Sequence, residues 1–241
     1  MSDSKPRPNN WLANHFKTLT LDEAHEGYFL GRGAKEESIV RLGVKTWQAM
    51  SEDSPDEDFR ERYGDRGERL GDWVLWPLYS PRGRVIGCAG RKGTEKRIIR
   101  HLLPIAGWQP IWTGLTPDVM DRIWAGANVW VVEGIFDLLP LEWAIPATDV
   151  VLGSERAKLT DKHVEFLRRF CRGWVHMVYD NDEAGRHGVH DWVDEKGKTR
   201  WGALHRLSRV EVQATSISYR GKDPGEIWNH GGVAAMKAAF S

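Results

Sequence analysis

The chain has 241 residues, of which 41% are hydrophobic and 28% are charged, a composition ordinary for a globular protein. The 34 basic and 34 acidic residues cancel to a formal net charge of zero, which argues against nucleic-acid binding by overall charge alone. The two cysteines are too few for the roughly four ligands of a structural zinc site. There is neither an apolar secretion signal at the start nor a stretch near the about 20 residues of a membrane span, so we expect a cytoplasmic protein with no membrane partner.

The first part of the chain mixes polar segments with one short predicted helix. Residues 1–9 are polar and contain two prolines, which predicts a disordered tail. In YFLGRGAKEESIVRLGV (28–44), the apolar residues Ile39, Val40 and Leu42 predict a short helix that ends near Gly43. Residues 51–71 are rich in Asp, Glu, Arg and Gly and have little to bury, so they are predicted to form a surface loop.

A β-hairpin is predicted next. The segments VLWPLYS (74–80) and VIGCAGR (85–91) are apolar and flank the turn sequence PRGR, which is typical of two strands joined by a hairpin. The region between Arg82 and Arg100 holds seven basic residues against the single acid Glu95. The seven are Arg82, Arg84, Arg91, Lys92, Lys96, Arg97 and Arg100.

The second half alternates short apolar strands with helices. Strands are predicted at 129–134, 149–154 and 174–180, with helical segments at 135–144 and from Thr160, as the capping residue, to Phe170. Parallel neighbours need crossover connections, so this alternation predicts an α/β fold with a parallel sheet covered on both sides. Ligands of such sheets bind at the carboxyl ends of the strands.

Acidic residues stand where two of these strands end. Glu133 closes the first strand, Asp137 follows on the first turn of the next helix, and Asp180 and Asp182 close the third strand. In a parallel sheet these four carboxylates point into one crevice. Crowded carboxylates raise one another's pKa, and a hard divalent cation with oxygen ligands relieves the repulsion. The pattern therefore indicates a site for Mg²⁺ or Mn²⁺.

Three local details bear on this site. If Asp180-Asn181-Asp182 is extended, alternation places both aspartates on one side, where both can reach one metal. Gly134 and Gly185 are expected to let the backbone approach closely beside each pair of acids. Each acidic pair alone could equally be a helix cap or a solvated turn, and only their combination in this order is specific.

Two other features have competing interpretations. Asp223, in Lys222-Asp223-Pro224, either starts a turn or supplies a further metal ligand. The chain has 13 tryptophans, which could stack on bases but are expected mainly to pack in the core, as at Trp130 and Trp174 within apolar runs.

The sequences VVEGIFD (131–137) and VYDNDEAGR (178–186) resemble the TOPRIM domain shared by bacterial primases, topoisomerases and some nucleases. Further segments resemble the RNA-polymerase core of DnaG-type bacterial primases, in the family's order, from about residue 24 to residue 228. They are YFLGRGAKEESIVRLGV, WPLYSPRGRVIGCAGR, LGSERAKLTDKHVEFLRR and GKDPGEIW. The resemblance implies a smaller mixed α+β N-terminal lobe over residues 10–124 and a TOPRIM lobe with a C-terminal segment over 125–241.

The resemblance also implies roles for individual residues. Glu133 would act as general base or metal organiser and, with Asp180 and Asp182, form the catalytic set. The metal ligands would be Asp180 and Asp182, with Asp137 and Asp223 in support. Nucleic acid or nucleotide would be bound by six basic residues, Arg32, Arg84, Arg91, Lys92, Lys96 and Arg97.

The function that the resemblance implies is a primase-like, DNA-directed RNA polymerase that makes short primers on single-stranded DNA from nucleoside triphosphates. The alternatives are a TOPRIM metal-dependent nuclease and a non-catalytic module that binds DNA or a replication partner. The sequence departs from the family in lacking zinc-binding and helicase-binding domains and in placing Gly225 after Pro224, where the family commonly has an acid. We therefore expect a phage or mobile-element origin and a separate zinc-finger protein or helicase as partner.

Overall fold

The computed structural model describes residues 14, 16–46, 73–92, 98–99 and 112–240. The predicted tail 1–9, the predicted loop 51–71, and the basic residues Lys96, Arg97 and Arg100 lie outside the described residues, as does the side chain of Lys92. The described residues fall into two compact units. Residues 14–31, 36–46, 73–92 and 98–99 belong to the first, and residues 32–35 and 112–240 belong to the second.

The first unit combines helices with an antiparallel sheet. Its helices are α1 (Glu23–Gly31) and α2 (Glu36–Leu42), and its strands are β1 (Lys45–Thr46), β2 (Trp73–Tyr79), β3 (Val85–Lys92) and β4 (Ile98–Ile99), paired in that order. The predicted hairpin is confirmed as β2 and β3, and the predicted short helix ends at Leu42, beside Gly43. Phe29 of α1 packs edge-on against Trp76 of β2, with ring centroids 6.2 Å apart.

The second unit is built on a parallel sheet of four strands. The strands are β5 (Val129–Val132), β6 (Val150–Gly153), β7 (Val175–Met177) and β10 (Ala214–Ser216), in the order β10-β7-β5-β6, with every pair parallel. The predicted α/β class with a parallel sheet is therefore confirmed. The three predicted strands are shorter than expected, and β7 ends at Met177 rather than at Asp180.

Helices and one small hairpin complete the second unit. The helices are α3 (Pro117–Trp124), α4 (Ile135–Leu141), α5 (Asp161–Phe170), α6 (Glu183–Val189), α7 (Ala203–Ser208) and α8 (Pro224–Phe240), the last kinked at Gly231 and Gly232. The hairpin pairs β8 (Trp192–Val193) with β9 (Thr199–Arg200). Thr160 caps α5 as predicted, accepting a hydrogen bond from the amide of His163.

The core of this unit is one cluster of buried, mainly apolar side chains. The strand residues Val129, Val131 and Val175 are fully buried, and they pack with Ile123 of α3 and Leu167 of α5. Helix α3 thus contributes to the core of the second unit, although its residues fall within the predicted N-terminal lobe, 10–124. Within the described part of the chain, no helix combines the length and the apolar character that crossing a membrane requires.

The tryptophans divide between core and surface. Trp130 is buried as predicted, and its Nε1 donates a hydrogen bond of 2.9 Å to Asp149 Oδ2. The prediction is wrong for Trp174, which is 46% exposed because it precedes the first residue of β7. Trp124 and Trp201 are also exposed, at 59% and 46%.

Replacing Val131 by alanine tests the packing of the parallel sheet. Val131 is fully buried in the central strand β5, so the substitution removes apolar contacts and leaves a cavity. We expect the free energy of unfolding to fall by about 2–3 kcal/mol in urea titrations. The same substitution at Val193, which is 64% exposed, should change it by less than about 0.5 kcal/mol. Equal losses in the two variants would contradict the placement of β5 in the core.

Candidate active site

Glu133 and the Asp180–Asp182 loop emerge from the same edge of the sheet. Glu133 follows directly after β5, and Asp180 comes three residues after the end of β7. These two strands are parallel neighbours, with Val131 paired to Met177. Their carboxyl ends therefore meet at one edge, as the sequence predicted, although Asp180 and Asp182 lie in the loop beyond the strand and not within it.

Asp137 and Asp223 lie beside these residues at the starts of two helices. Asp137 is in the first turn of α4, and its Oδ1 accepts a hydrogen bond of 3.4 Å from the amide of Gly225, at the start of α8. Burial and the nearby charges of Asp180, Asp223 and Glu133 raise the pKa of Asp137 to about 8. Asp137 is therefore largely protonated near neutral pH when no cation is present.

The pKa of Asp180 is also raised, but by less than that of Asp137. Burial, followed by the charges of Asp223 and Asp182, raises the pKa of Asp180 to about 6, and the ammonium group of Lys222 opposes this shift. Electrostatic repulsion therefore connects five neighbouring carboxylates. We call Glu133, Asp137, Asp180, Asp182 and Asp223 the acidic cluster.

Two members of the acidic cluster also have structural roles. Asp182 is exposed, and it caps α6, because its Oδ1 accepts a hydrogen bond of 2.8 Å from the amide of Gly185. The Oδ1 of Asp223 accepts a hydrogen bond of 2.7 Å from the amide of Glu226 in the first turn of α8. Capping of this kind stabilises a helix by about 1 kcal/mol. Each of these aspartates therefore commits one carboxylate oxygen to a backbone amide.

The two glycines beside the acids behave differently. A side chain at Gly185 would place its Cβ 2.1 Å from the carbonyl oxygen of Asp180, so only glycine allows α6 to pack this closely against the loop. At Gly134 a Cβ would meet open space. The expectation that glycine is needed for a close approach is correct for Gly185. It is wrong for Gly134, where the neighbouring backbone of Gly153 lies on a side that a Gly134 Cβ would not enter.

Tyr219 and Asn181 support the acidic cluster and were not identified as site residues from the sequence. The Tyr219 hydroxyl donates a hydrogen bond of 2.8 Å to the carbonyl oxygen of Tyr179, next to Asp180. The Nδ2 of Asn181 donates to the carbonyl oxygens of Tyr219 and Gly221, at 3.0 and 2.7 Å. Burial and then the charges of four cluster carboxylates raise the pKa of Tyr219. Asn181 could have been noticed from its place between the two aspartates, whereas Tyr219 has no local signal.

Arg32 lies in the second unit although it precedes that unit by about 80 residues in the chain. Its guanidinium carbon is 5.1 Å from the ring centroid of Phe136, the residue before Asp137. Gly33 has a φ of 90°, and its carbonyl oxygen accepts a hydrogen bond of 2.9 Å from Trp143 Nε1. The Nε of Arg32 is buried with no hydrogen-bond partner among the described residues. The structure thus places Arg32 next to a helix that carries part of the acidic cluster.

The other predicted basic residues lie in the first unit or outside the described residues. Arg84 is exposed in the turn between β2 and β3. Arg91 is buried, with its guanidinium carbon 4.8 Å from the ring centroid of Tyr28. The side chain of Lys92 is not described, and Lys96 and Arg97 fall outside the described ranges. Their predicted roles in nucleic-acid binding stay predictions.

The donor chemistry of the acidic cluster suits a hard divalent cation. Among the described residues, no three His, Cys, Asp or Glu side chains form a ready-made metal cage. However, Mg²⁺ keeps several waters and commonly takes only one or two protein carboxylates, with phosphates of the substrate completing its shell. Carboxyl groups whose pKa is raised by neighbouring carboxylates, as those of Asp137 and Asp180 are, become more acidic next to such a cation.

Comparison with known proteins agrees with the sequence resemblance. Residues 130–226, which include every member of the acidic cluster, match the Toprim-like family. No curated protein sequence matches the chain.

Solved structures with the same fold are primase catalytic cores. The zinc-binding and RNA polymerase domains of the Aquifex aeolicus primase superpose with a TM-score of 0.65 at 20% identity, over 95% of this chain and 60% of that one. A DnaG primase catalytic domain bound to single-stranded DNA gives 0.64 at 19% identity, over 96% and 78%. The primase fragment of the bacteriophage T7 primase-helicase gives 0.57 at 13% identity, over 99% and 82%. The chain therefore has a Toprim-like domain within the fold of a DnaG-type primase core, and spans about three fifths of the length of the Aquifex structure.

The buried carboxyl groups make the stability of the metal-free protein depend on pH. The pKa values of Asp137 (about 8) and Asp180 (about 6) lie above the ordinary value of 3.8, so the folded protein binds more protons than the unfolded chain between about pH 4 and pH 8. The free energy of unfolding should therefore fall as pH rises through this window. Urea titrations in the presence of a chelator should show this slope, and Asp137→Asn should reduce it and be the more stable protein at pH 8.

The matched control is Asp121→Asn, which removes one carboxylate from the exposed side of α3. It should leave the slope unchanged. An equally steep slope in Asp137→Asn and in the unmodified protein would show that Asp137 does not titrate in this range.

Proposed function

We propose that this protein is a primase-like nucleotidyltransferase that synthesises short RNA primers on a single-stranded DNA template from nucleoside triphosphates. The observation that carries the proposal is the acidic cluster at the carboxyl edge of the parallel sheet, in the fold of a primase catalytic core. A related catalytic domain of this fold binds single-stranded DNA. This supports the same class of template here.

The reaction joins a 3′ hydroxyl to the α-phosphate of an incoming nucleoside triphosphate and releases pyrophosphate. Glu133, partly buried at the end of β5, is the proposed general base that accepts the proton of the attacking hydroxyl. Asp180 and Asp182 occupy the neighbouring loop and are proposed to complete the catalytic set. Tyr219 and Asn181 hold that loop against residues 219–222, so the carboxylates keep their positions while substrate binds.

The proposed cofactor is Mg²⁺ or Mn²⁺. Asp180 and Asp182 would hold it, with Asp137 and Asp223 close enough to act on its charge or to join its ligands. When bound, such a cation stabilises the negative charge that develops on the phosphoryl oxygens and on the leaving pyrophosphate. The helix-capping bond of Asp182 uses only its Oδ1 and leaves the second oxygen for this purpose. At Asp223, Oδ1 binds the amide of Glu226 and Oδ2 lies 3.6 Å from Lys222 Nζ, so a cation there would compete with the lysine.

Arg32 is the proposed contact for the triphosphate. Its guanidinium packs against Phe136, and the buried Nε has no hydrogen-bond partner among the described residues, so a phosphate oxygen would satisfy it. For Arg84, Arg91, Lys92, Lys96 and Arg97 we retain the proposal of template or nucleotide contacts. The cytoplasmic location and the phage or mobile-element origin also stay predictions.

Replacing catalytic carboxylates should abolish primer synthesis without unfolding the protein. Glu133→Gln keeps the shape of the side chain but removes the proton acceptor, so we expect a loss on the order of 10²–10⁴-fold. The double substitution of Asp180 and Asp182 by alanine should leave no detectable product. The assay incubates single-stranded DNA and labelled ribonucleotides with Mg²⁺ or Mn²⁺ and resolves new oligomers on a denaturing gel.

The same assay separates the alternative functions. Asp121→Asn is the control and should synthesise primers at the normal rate. Shortened template without new oligomers would indicate a nuclease and contradict the proposal. Template binding with neither product would indicate a binding module. Unchanged synthesis by the double variant would remove the acidic cluster from the mechanism.

A partner protein is proposed to assist initiation, because a net charge of zero offers little general attraction to DNA. The T7 structure of the same fold comes from a primase-helicase protein, which supports a helicase as one candidate, beside a separate zinc-finger protein. Tethering template and enzyme through a partner should raise primer yield by on the order of 10²-fold. Primer synthesis at full rate and with marked sequence choice by the protein alone would contradict this dependence.

A further inference from the structure

A basic groove lies in the second unit, outside the acidic cluster. It is an open cavity of about 570 Å³ between the loop that follows β6, the start of α5, the hairpin β8–β9 and helix α7. Its lining includes five basic residues and one tryptophan, namely Arg156, Lys158, Lys198, Arg200, Arg206 and Trp201. Asp161 is the one acidic residue in the lining. We call this cavity the basic groove.

Three of the five cations are not neutralised. Arg206 forms an ion pair of 2.6 Å with Asp161, and Arg200 forms one of 2.7 Å with Asp194. In contrast, Arg156, Lys158 and Lys198 are exposed and form no ion pair with any residue that the structure describes. These three residues stand on two separate segments, the loop after β6 and the hairpin. The groove therefore presents uncompensated positive charge on two of its walls.

The walls of the groove are held in place before any ligand binds. Asp194 accepts hydrogen bonds from the amides of Lys196 and Lys198, at 3.0 and 2.9 Å, which orders the turn of the hairpin. Asp191 accepts a hydrogen bond of 2.8 Å from the amide of Gly202, where the hairpin joins α7. Arg206 donates to the carbonyl oxygen of Leu159 in the opposite wall. A ligand would meet a preformed surface, which lowers the entropy cost of binding.

Trp201 adds an aromatic surface to the basic groove. Its ring stacks on the ring of His205, with centroids 4.7 Å apart and planes within 8°, so its orientation is fixed. Even so, 46% of Trp201 remains exposed. Proteins that bind single strands combine separated cations, which follow the phosphates, with aromatic rings against which bases pack.

The groove is connected to the acidic cluster through one hydrogen-bonded path. Ser154 Oγ donates to the carbonyl oxygen of Arg156 at 2.7 Å and lies 2.8 Å from the hydroxyl of Tyr179. Tyr179 precedes Asp180 in the chain. The loop that carries Arg156 is thus joined to the residue before Asp180 through Ser154.

We propose that the basic groove binds the sugar-phosphate backbone of single-stranded DNA, with Lys158 and Lys198 contacting phosphates from opposite walls and Trp201 packing against a base. An extended polyanion neutralises cations on both walls at once, which a single phosphate group cannot do. That the bound strand is the template rests on the proposed function. The binding itself does not.

Paired lysine variants test the phosphate contacts. The double variant Lys158→Ala with Lys198→Ala removes two groove cations, and the control Lys162→Ala with Lys196→Ala removes two exposed lysines from the adjacent helix and turn. Binding of a fluorescein-labelled oligothymidylate is followed by fluorescence anisotropy at several salt concentrations. Each lost contact lowers the slope of log K against log salt by about 0.7, so the groove variant should lose about 1.4 in slope and about 25-fold in affinity at 0.1 M salt.

The control variant should bind like the unmodified protein. Equal losses in the two double variants would mean a general charge effect and would overturn the proposal, as would no loss in either. Competition by thymidine monophosphate as effective as competition by the unlabelled oligonucleotide, at equal nucleotide concentration, would show a mononucleotide pocket and overturn the strand assignment.

Tryptophan variants supply a test that does not involve charge. Trp201→Ala and Trp174→Ala remove side chains that are equally exposed, at 46% each, but only Trp201 lines the groove. We expect roughly tenfold weaker binding for Trp201→Ala and no change for Trp174→Ala. Trp201→Phe keeps a ring and should recover most of the affinity. Failure of Trp201→Phe to bind better than Trp201→Ala, with both variants folded by circular dichroism, would overturn the role of the ring.

The failure of this proposal can be distinguished from that of the proposed function. The Glu133→Gln variant should lose primer synthesis and still bind the oligonucleotide with the normal affinity. If the unmodified protein makes no primers but the lysine and tryptophan substitutions still weaken oligonucleotide binding as expected, the groove proposal holds and the catalytic proposal fails. If primers are made and the groove variants bind normally, the groove proposal fails alone.

Discussion

Repulsion among carboxylates at the carboxyl edge of one parallel sheet is the constraint on which the rest of this structure depends. Burial and neighbouring charge disfavour the ionised forms of Asp137 and Asp180, so gathering these groups costs stability. Hydrogen bonds from the backbone offset part of this cost, since amides of α6 and α8 donate to Asp182 and Asp223. Strongly shifted groups that persist at such an edge are typical of functional sites. The proposed cation would relieve this repulsion.

The support for the acidic cluster comes from residues distant in sequence. Tyr219 and Asn181 join the loop after β7 to the loop before α8, and both loops carry aspartates of the cluster. Gly185 lets α6 pack directly on the carbonyl oxygen of Asp180. A catalytic group must be held close to its productive position, and rigid hydrogen-bonded neighbours provide this. The loop geometry therefore follows from packing between elements and not from the strand that precedes it.

A net charge of zero conceals two opposed electrostatic regions in the second unit. The negative charge of the acidic cluster repels a DNA backbone, whereas the positive charge of the basic groove attracts one, and Ser154 joins the two regions through Tyr179. Such opposed fields contribute little to total affinity, but they determine where a strand can lie. In the proposed arrangement the groove would position the strand, and the acidic cluster would hold the cation and the triphosphate. Composition alone cannot show this segregation of charge.

The sequence alone determined the parallel sheet and the position of Glu133 and Asp137, because strand and helix periods and short spacings are local properties that survive folding. Only the tertiary structure decided what Asp182 does. Its place in a DxD motif predicted a metal ligand, which stays a prediction, and the structure adds that β7 ends at Met177 and that one oxygen of this carboxylate caps α6. Likewise, Arg32 and Trp201 carry no local signal of their surroundings. Each lies where it does because segments far apart in the chain pack together, and such contacts depend on the packing of whole elements, which no spacing along the chain encodes.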